Sequence, residues 1–476
     1  MIKQGQEIEV IIEKLGFGGE GISRLDDLVI FVKGALPGQK VKIVIQKKKK
    51  NHAQAKVIEI LEKAKNEISP ICEHFGICGG CKWQNLPYES QLKNKENQVK
   101  ECLEHLGNFN FSATNNKIDF QPIMSSPDIF SYRNKVEFSF GYQNMRVEVD
   151  KDGNRLYFDE NPSLGFHSPG KWEEIISVRN CNLIPEKVNK IFTKIKEWCL
   201  SQNKSVHNPK THKGFWRHLL LRFNLKGEIL VNLIVHEEIE NLFFSDLIEL
   251  LKNESEMKSF YVTVHKGLND DWMNGDLKCL YGDKEIYEEI LGMKFSISPK
   301  SFFQTNSKGA EVLYSKVVDF AKEINPKSIL DLYCGTGTIG QILAKDRKET
   351  KIIGLELLES AVADAYKNAE LNNLKNVEFI SGKAEKTLPD VLEKYPEGFD
   401  LVIIDPPRSG MHQKALKTLL EANAKNIIYV SCNPSTLARD LRILCDNGYE
   451  LQKVCPVDMF PHTAHIEVVT KLVMSR

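Results

Sequence analysis

The stretch SILDLYCGTGTIG, residues 328–340, reads as an apolar strand, a glycine turn and the start of a helix. Gly335 and Gly337 let the backbone approach a ligand at the helix amino terminus, where side chains would collide. Apolar strands and helix-length segments continue to alternate after it, in KIIGLE, VEFISG, DLVIIDPP and NIIYVSC. This alternation predicts a Rossmann-like α/β domain with a mostly parallel sheet, whose ligands bind beyond the carboxyl ends of the strands.

Acidic residues at the strand ends indicate a nucleoside-containing cofactor. The spacing Asp-x-x-x-Gly-x-Gly departs from the dinucleotide fingerprint and matches the first motif of S-adenosylmethionine-dependent methyltransferases. Glu356 lies about twenty residues past the glycines, where a carboxylate bonds a ribose diol in such sheets, although an ordinary strand-end carboxylate is the alternative. Asp405 ends a later strand, and two prolines stop the sheet there. Arg408 stands where amino-methylating enzymes usually carry an aromatic residue, which argues against stacking of an exocyclic amine.

A cysteine and a glutamate near the carboxyl terminus suggest covalent chemistry. Cys432 ends the strand in YVSCNPSTLARD and precedes a helix, whose dipole would lower the pKa of the thiol, although a buried inert cysteine is the common alternative. Glu467 interrupts the apolar run in HTAHIEVV, so it either pairs with another group or acts as an acid or base. Methylation of uracil at carbon 5 needs such a pair: a thiolate adds to carbon 6, and a carboxylate later removes the carbon 5 proton.

Four cysteines are candidates for a metal site. The stretch ICEHFGICGGCKWQ spaces three of them as C-x5-C-x2-C, and VRNCNLIP supplies the fourth a hundred residues later: Cys72, Cys78, Cys81 and Cys181. Four thiolates suit either zinc or a [4Fe-4S] cluster. Three clustered cysteines plus a distant one favour the iron–sulfur cluster, and zinc stays open as the alternative.

The amino-terminal residues 1–65 predict an OB-like β-barrel, because short β-branched runs are broken there by glycine-rich turns. The whole chain has 64 basic and 64 acidic residues, whereas this segment has 13 basic and 8 acidic ones, an excess of five positive charges. A polyanion would therefore meet this segment first. Phe17 in a glycine loop and four consecutive lysines favour RNA binding over a merely solvated loop.

Two further domains follow the barrel. Residues 66–295 predict a β-rich central domain that holds the metal cluster and binds RNA, and residues 296–476 form the catalytic domain. Part of 90–122 is expected to pack on the catalytic domain. In the central domain, Arg133, Lys135 and Arg217 lie beside aromatic residues, a pattern suited to phosphates and splayed bases but also found in ordinary sheets.

The motifs DLYCGTGTIG, IIDPPRSG, YVSCNPSTLARD and HTAHIEVV, in this order, resemble those of the RNA uracil-5-methyltransferases of the TrmA and RlmD type. The resemblance spans almost the whole chain and makes the amino-terminal barrel a TRAM domain. It implies that Cys432 is the nucleophile and Glu467 the base, and that the four cysteines hold a [4Fe-4S] cluster as in RlmD-type members. It also implies that six residues bind S-adenosylmethionine or line its pocket: Gln304, Tyr333, Gly335, Gly337, Glu356 and Asp405.

The expected activity is formation of 5-methyluridine in RNA. Barrel and cluster together resemble the RlmD-type enzymes of 23S ribosomal RNA, so ribosomal RNA is the favoured substrate and transfer RNA the alternative. A non-catalytic RNA-binding protein with an iron–sulfur cluster is the hypothesis from another class. The chain lacks a signal pattern and an apolar run of the ~20 residues that a membrane helix needs, so we expect a cytoplasmic protein without membrane contact. We expect a monomer because the RNA-binding surface would be large.

Overall fold

The computed structural model describes residues 2–111, 117–149, 155–208, 210–254, 256–269, 271–421 and 424–475, without side chains at 144–149, 155–160 and 172. The chain divides into two compact units. The first comprises Met1–Pro70, Cys81–Ile129 and Lys308–Arg476, and the second Ile71–Gly80 and Phe130–Ser307. The domain boundaries at residues 65 and 295 stay predictions.

The first unit begins with a six-stranded sheet in the order β1-β5-β6-β4-β3-β2. Val41, Ile43 and Ile45 alternate with more exposed residues along one strand and are almost fully buried, as expected where one face of a sheet covers a core. The two edge strands, β1 and β2, are consecutive in the chain. Its assignment as an OB-like barrel stays a prediction. The strands are β1 (Glu7–Ile11), β2 (Lys14–Leu15), β3 (Gly21–Leu25), β4 (Leu28–Lys33), β5 (Lys40–Lys48) and β6 (His52–Glu62).

A long helix, α1 (Tyr88–Gly107), follows, and then the short strand β7 (Asp119–Phe120). Val99 and Leu103 of the helix are fully buried and belong to the same hydrophobic cluster as Leu437 and Leu441 of the carboxyl-terminal segment. The face of α1 that carries Val99 thus packs into the core of the α/β sheet described below.

The second unit contains a seven-stranded sheet in the order β10-β9-β8-β11-β12-β13-β14 and a separate hairpin of β15 with β16. Every residue of the two central strands, WRHLLLRF and ILVNLIV, is buried. Residues of two helices pack on one face of these strands, and Trp272 packs on the other. Phe192 of a helix stacks on Phe138 of the sheet with ring centroids 4.1 Å apart. The elements are β8 (Lys135–Val149), β9 (Arg155–Ser168), β10 (Lys171–Ser177), α2 (Glu186–Ser201), β11 (Trp216–Phe223), β12 (Ile229–Val235), α3 (Ser245–Lys252), β13 (Met257–Val264), β14 (Asp276–Gly282), β15 (Ile286–Ile290) and β16 (Met293–Ile297).

The first unit ends in an eight-stranded sheet in the order β19-β18-β17-β20-β21-β23-β22-β7. The pairs from β19 to β21 are parallel, and β23 is antiparallel to both of its neighbours. The parallel core matches the predicted α/β domain. Its elements are α4 (Ser307–Ile324), β17 (Ser328–Leu332), α5 (Thr338–Lys345), β18 (Lys351–Glu356), α6 (Glu359–Leu371), β19 (Val377–Ser381), α7 (Ala384–Lys394), β20 (Leu401–Ile404), α8 (Gln413–Glu421), β21 (Asn426–Ser431), α9 (Pro434–Asp446), β22 (Tyr449–Val457) and β23 (Glu467–Met474).

Among the described residues, no helix combines the length and the apolar character that crossing a bilayer requires.

Candidate active site

The turn after β17 uses a left-handed backbone at three residues. Tyr333 has φ 62°, Gly335 55° and Gly337 74°. Gly337 caps the amino end of α5, and a Cβ added there would lie 2.7 Å from the ring of Phe379. Only glycine meets both demands, since it tolerates this φ and occupies no space. The turn therefore leaves backbone amides at the start of α5, where a ligand can approach closely.

Glu356 ends the neighbouring strand and faces this turn. Its two carboxylate oxygens accept hydrogen bonds from the backbone amides of Gly335 and Leu358, each at 3.0 Å. The carboxylate is thus fixed beside the glycine turn. Its contact with a ribose diol stays a prediction.

Asp331 is a buried acidic residue that was not among the predicted site residues. It lies in β17 with 1% of its surface exposed, and its Oδ2 accepts the amide of Gly340 at 3.0 Å. Burial, together with the nearby charges of Asp405 and Glu356, raises the pKa of Asp331 to about 8, against the lowering effect of the Gly340 hydrogen bond. The signal was present in the sequence, because Asp331 interrupts an apolar strand as Glu467 does.

Cys432 and Glu467 are neighbours across two antiparallel strands. The last paired residues of β21 and β23 at this end are Ser431 and Val468, so the next facing positions are Cys432 and Glu467. The charge of Glu467 acts on the thiol of Cys432, which places the two groups close to each other. The structure therefore brings the predicted nucleophile and the predicted base together at the carboxyl end of the parallel strands.

The protonation of Cys432 differs from the sequence prediction. Burial, together with the nearby charges of Glu467 and Asp405, raises the pKa of Cys432 to about 11, against the lowering effect of Arg408. The expected lowering of the thiol pKa by the following helix was wrong, because burial and two nearby carboxylates outweigh the dipole. The thiol is consequently protonated at neutral pH.

The carboxyl groups of Glu467 and Asp405, which lie near Cys432, also hold their protons more tightly than usual. Burial raises the pKa of Glu467 well above its ordinary range, Asp405 raises it further, and Arg408 lowers it. Burial raises the pKa of Asp405 to about 7. The site thus concentrates acidic groups around one arginine, and a bound cation would favour the ionised form of each of them.

The loop that carries Arg408 is anchored to the start of α9. The backbone carbonyl of Arg408 accepts hydrogen bonds from Asn433 Nδ2 at 3.0 Å and Thr436 Oγ1 at 3.2 Å. Asn433 also caps α9 by accepting the amide of Ser435 at 3.0 Å. The Asn-Pro pair after the cysteine therefore holds the Arg408 loop as well as starting the helix, while the Arg408 residue itself is exposed.

A buried carboxylate also supports the loop that carries Arg408. Asp440 has 1% of its surface exposed, and its Oδ2 accepts hydrogen bonds from the hydroxyl of Tyr429 at 2.7 Å and the amide of Met411 at 2.9 Å. Arg439 forms an ion pair with Asp440 at 2.7 Å and donates to the carbonyl of Ser409. Sequence reasoning missed this support, because nothing in the spacing of these residues links them.

The remaining predicted site residues are distributed over both units. Gln304 belongs to the second unit, and its role in donor binding stays a prediction. A cavity of about 480 Å³ beside α7 and α8 includes none of the predicted site residues in its lining.

The four cysteines of the predicted cluster are also divided. Cys72, Cys78 and Cys181 belong to the second unit and Cys81 to the first. Burial raises the pKa of Cys181, Arg133 lowers it, and Cys78 and Cys72 raise it, so these three thiols share one neighbourhood. Within the ranges that the structure describes, no group of three or more His, Cys, Asp or Glu side chains is arranged to hold a metal ion.

One of the predicted RNA-gripping cations has a structural role. Arg217 has 1% of its surface exposed, and its guanidinium donates to the backbone carbonyls of His265 at 2.9 Å, Gly267 at 2.5 Å and Asn269 at 2.7 Å. The prediction that Arg217 contacts phosphates was wrong, because its donors are used to fix a loop of its own unit. By contrast, Phe17 in the amino-terminal glycine loop is 40% exposed, as a stacking residue must be.

Comparison with known proteins places both parts of the chain. The model of the tRNA (uracil-5-)-methyltransferase family matches residues 87–474, and the TRAM domain model matches residues 2–58. An uncharacterized RNA methyltransferase of Caldanaerobacter subterraneus subsp. tengcongensis is 40% identical over 471 residues, which are 98% of each chain. One from Clostridium tetani is 40% identical over 474 residues, which cover 99% of this chain and 98% of the relative.

A solved structure shows the same architecture. The crystal structure of a Pyrococcus abyssi tRNA (uracil-54, C5)-methyltransferase in complex with S-adenosyl-L-homocysteine has a TM-score of 0.73 and 28% sequence identity. The likeness covers 98% of this chain and 100% of that one.

Proposed function

We propose that this chain, which belongs to the tRNA (uracil-5-)-methyltransferase family of S-adenosylmethionine-dependent RNA methyltransferases, makes 5-methyluridine in 23S ribosomal RNA. The observation that carries the chemistry is the position of Cys432 beside Glu467 at the strand ends. The glycine turn at Gly335 and Gly337 and the carboxylates of Glu356 and Asp405 lie at the ends of parallel strands, where such sheets bind their ligands.

The reaction uses the two residues in turn. Cys432, as thiolate, forms a bond from its Sγ to carbon 6 of uracil, and the electrons of the carbon 5–carbon 6 double bond move toward oxygen 4. Carbon 5 then takes the methyl group that bound S-adenosylmethionine would supply, as the bond from the methyl carbon to the sulfonium sulfur breaks and S-adenosylhomocysteine leaves. Glu467, as carboxylate, removes the carbon 5 proton, the bond from carbon 6 to Sγ breaks, and the thiolate is released. The net change is that one methyl group is added to carbon 5 and one proton leaves it.

The electrostatics of the site support this order of events. Burial and the neighbouring carboxylates hold Cys432 and Glu467 in their neutral forms. The positive charge of S-adenosylmethionine, bound among these groups, would lower the pKa of each acid, so that the thiolate would form where it can attack. The charge of Arg408 acts in the same direction on both groups, since it lowers the pKa of Cys432 and of Glu467.

Ribosomal RNA is proposed as the substrate because the chain combines an amino-terminal TRAM domain with four cysteines that lie between this domain and the catalytic part. This combination resembles RlmD-type enzymes. Transfer RNA is the second candidate. The likeness to the tRNA (uracil-54, C5)-methyltransferase of Pyrococcus abyssi over the full chain favours it.

The substrate is tested by deleting the gene and measuring 5-methyluridine by mass spectrometry, separately in purified 23S ribosomal RNA and in transfer RNA. We expect loss from ribosomal RNA only, restored by the wild-type gene and not by a Cys432→Ala copy. Loss from transfer RNA alone would transfer the assignment to the second candidate, and unchanged levels in both would contradict the proposed function.

We further propose that Cys72, Cys78, Cys81 and Cys181 hold a [4Fe-4S] cluster with a structural role. The donor chemistry fits, because thiolates are the ligands of such clusters and three of these thiols share one neighbourhood. The described residues do not form an assembled metal site, so no step of the reaction is assigned to the cluster.

Anaerobic purification followed by iron, sulfide and zinc analysis tests the cluster. We expect iron and sulfide in equal amounts, and their loss in Cys78→Ser but not in Cys445→Ala. Zinc in place of iron, or no metal at all, would contradict the proposal.

For the protein as a whole we propose a cytoplasmic monomer, and a dimer in light scattering would overturn its monomeric state.

A further inference from the structure

The loop from 458 to 466 joins β22 to the first residue of β23, which is Glu467. Its conformation therefore determines where this carboxylate lies. The buried residues of α1 that face the loop are polar, which is unusual for an amphipathic helix in a core: Gln91 and Lys95, one turn apart, are completely buried.

Lys95 holds the start of the loop. Its Nζ forms an ion pair with Asp458 Oδ1 at 2.6 Å and donates to the backbone carbonyl of Phe460 at 3.0 Å. The side chains of Lys95 and Asp458 are both 0% exposed. Asp458 Oδ1 also accepts the amide of Phe460 at 3.0 Å, so one carboxylate oxygen and one ammonium group fix two residues of the loop, Asp458 and Phe460.

Gln91 holds the middle of the loop. Its Oε1 accepts the amide of His462 at 2.8 Å, and its Nε2 lies 3.1 Å from His462 Nδ1. His462 adopts a left-handed backbone with φ 64°, and its carbonyl accepts the amides of Lys82 at 2.7 Å and Trp83 at 3.1 Å. Such a conformation costs a non-glycine residue on the order of 1–3 kcal/mol and persists only where neighbours impose it.

Stability alone does not explain the ion pair. Removing two charges from water costs about as much as their attraction returns, and apolar residues of similar volume would fill the same space at least as well. What the pair does supply is one defined loop conformation, because Lys95 must reach a carboxylate and a carbonyl at once. The loop ends at Ile466, directly before the predicted base.

We propose that Lys95 and Gln91 are positioning residues, which hold the loop at Asp458, Phe460 and His462 so that Glu467 faces carbon 5 of the Cys432-bound uracil. This inference rests on the proposed function and assigns to α1 a role in the last step of that reaction. Disturbing the anchor should leave bond formation by Cys432 intact and slow the removal of the carbon 5 proton.

The test separates the two steps in Lys95→Met, in single turnovers with labelled S-adenosylmethionine. Formation of the RNA–protein adduct and its decay are followed on denaturing gels. We expect methyl transfer into the adduct at the wild-type rate and decay slowed on the order of 10- to 100-fold, because small misplacements of a catalytic group have effects of this size. Gln91→Leu should show the same asymmetry.

Controls distinguish positioning from general damage. Val99→Ala truncates a fully buried residue of the same helix without touching the loop, and should lower thermal stability while leaving the ratio of the two rates unchanged. If Lys95→Met folds poorly, the double variant Lys95→Met/Asp458→Leu removes both charges, which restores folding but not the anchor. It should still show slow decay.

The outcomes keep the two proposals apart. Adduct decay at the wild-type rate in a folded Lys95→Met or in the double variant would overturn the positioning role, provided that Glu467→Gln accumulates adduct. If Cys432→Ala retains turnover or Glu467→Gln accumulates no adduct, the proposed function itself fails.

Discussion

Cys432 and Glu467 face each other one position beyond the last paired residues of β21 and β23, although 35 positions separate them in the sequence. The antiparallel strand β23, which pairs with the parallel strand β21, makes this contact between distant residues possible. It returns the chain to the edge where the parallel strands end, so that a residue at the start of β23 meets one at the end of β21. The sheet topology thus creates the proposed nucleophile–base pair.

Replacing the proposed nucleophile should separate catalysis from binding. Cys432→Ala is expected to reduce methyl transfer below detection, because Cys432 is the group that adds to carbon 6 in the proposed mechanism. RNA affinity should change less than about threefold, since the thiol is one small contact of a large surface. Filter binding and transfer of labelled methyl groups measure the two quantities.

Cys445→Ala in α9 is the matched control for this experiment, because it removes a half-buried thiol elsewhere in the same domain. It should retain activity. Full turnover by Cys432→Ala would show that covalent addition is not part of the reaction.

Arg408 should set the pH at which the adduct forms. Its charge lowers the pKa of Cys432 and of Glu467, so Arg408→Gln leaves both groups protonated to higher pH. The pH profile of adduct formation should therefore move to higher pH, and Arg408→Lys should restore most of it. Lys417→Gln, which removes an exposed charge on α8, serves as the control and should leave the profile in place. An unshifted profile in Arg408→Gln would refute this role.

Asp331 should make the folded protein less stable as pH rises. Its pKa is about 8 when folded and near 4 when unfolded, so the folded state binds the proton more tightly. The resulting stability is fully present below about pH 4 and is lost as pH rises through about 8. Asp331→Asn keeps an acceptor for the Gly340 amide, and should raise the free energy of unfolding at alkaline pH.

Asp400 provides a control of opposite sign. Lys425 lowers its pKa, so its contribution is present above the unfolded pKa and is lost as pH falls. Asp400→Asn should therefore lower stability at pH 8, where Asp331→Asn raises it. Urea unfolding across the pH range measures both, and equal signs at alkaline pH would contradict the assignment.

Gly337 should be irreplaceable for a steric reason. Gly337→Ala places a Cβ 2.7 Å from Phe379 at a φ of 74°, which should cost about 1–3 kcal/mol of stability and weaken S-adenosylmethionine binding. Gly34→Ala has φ 85° with nothing within 4 Å, so it reports the backbone cost alone. Calorimetric titration should show weakened donor binding only in Gly337→Ala, and equal binding by both variants would argue against the glycine turn as the donor site.

Local patterns in the sequence were sufficient to predict the parallel sheet and to recognise the family. Alternating strands and helices gave the α/β domain, and the family recognised from four motifs is confirmed by the match over residues 87–474. The facing of Cys432 and Glu467 depends on register between distant strands, which no local pattern specifies. The raised pKa of Cys432 likewise depends on the folded structure, since burial and two carboxylates from other strands determine it.

Polar residues inside the core were harder to interpret. Arg217 looks like a phosphate contact in sequence but is consumed by three carbonyls of one loop. Lys95 looks like a solvated helix residue but is fully buried against Asp458, 363 positions away. In both cases the partner is a distant backbone or side-chain group, so only the fold reveals which cations remain available to RNA.

The most direct measurement of the central claim uses substrate RNA that carries 5-fluorouridine at the target position, incubated with the protein and S-adenosylmethionine. Fluorine at carbon 5 cannot leave as a proton, so the reaction should stop after methyl transfer with the RNA still bound to sulfur. Proteolysis and mass spectrometry should then find a methylated fluorouridine nucleotide on Cys432, and none in Cys432→Ala. The absence of an adduct, or its presence on another residue, would contradict the account.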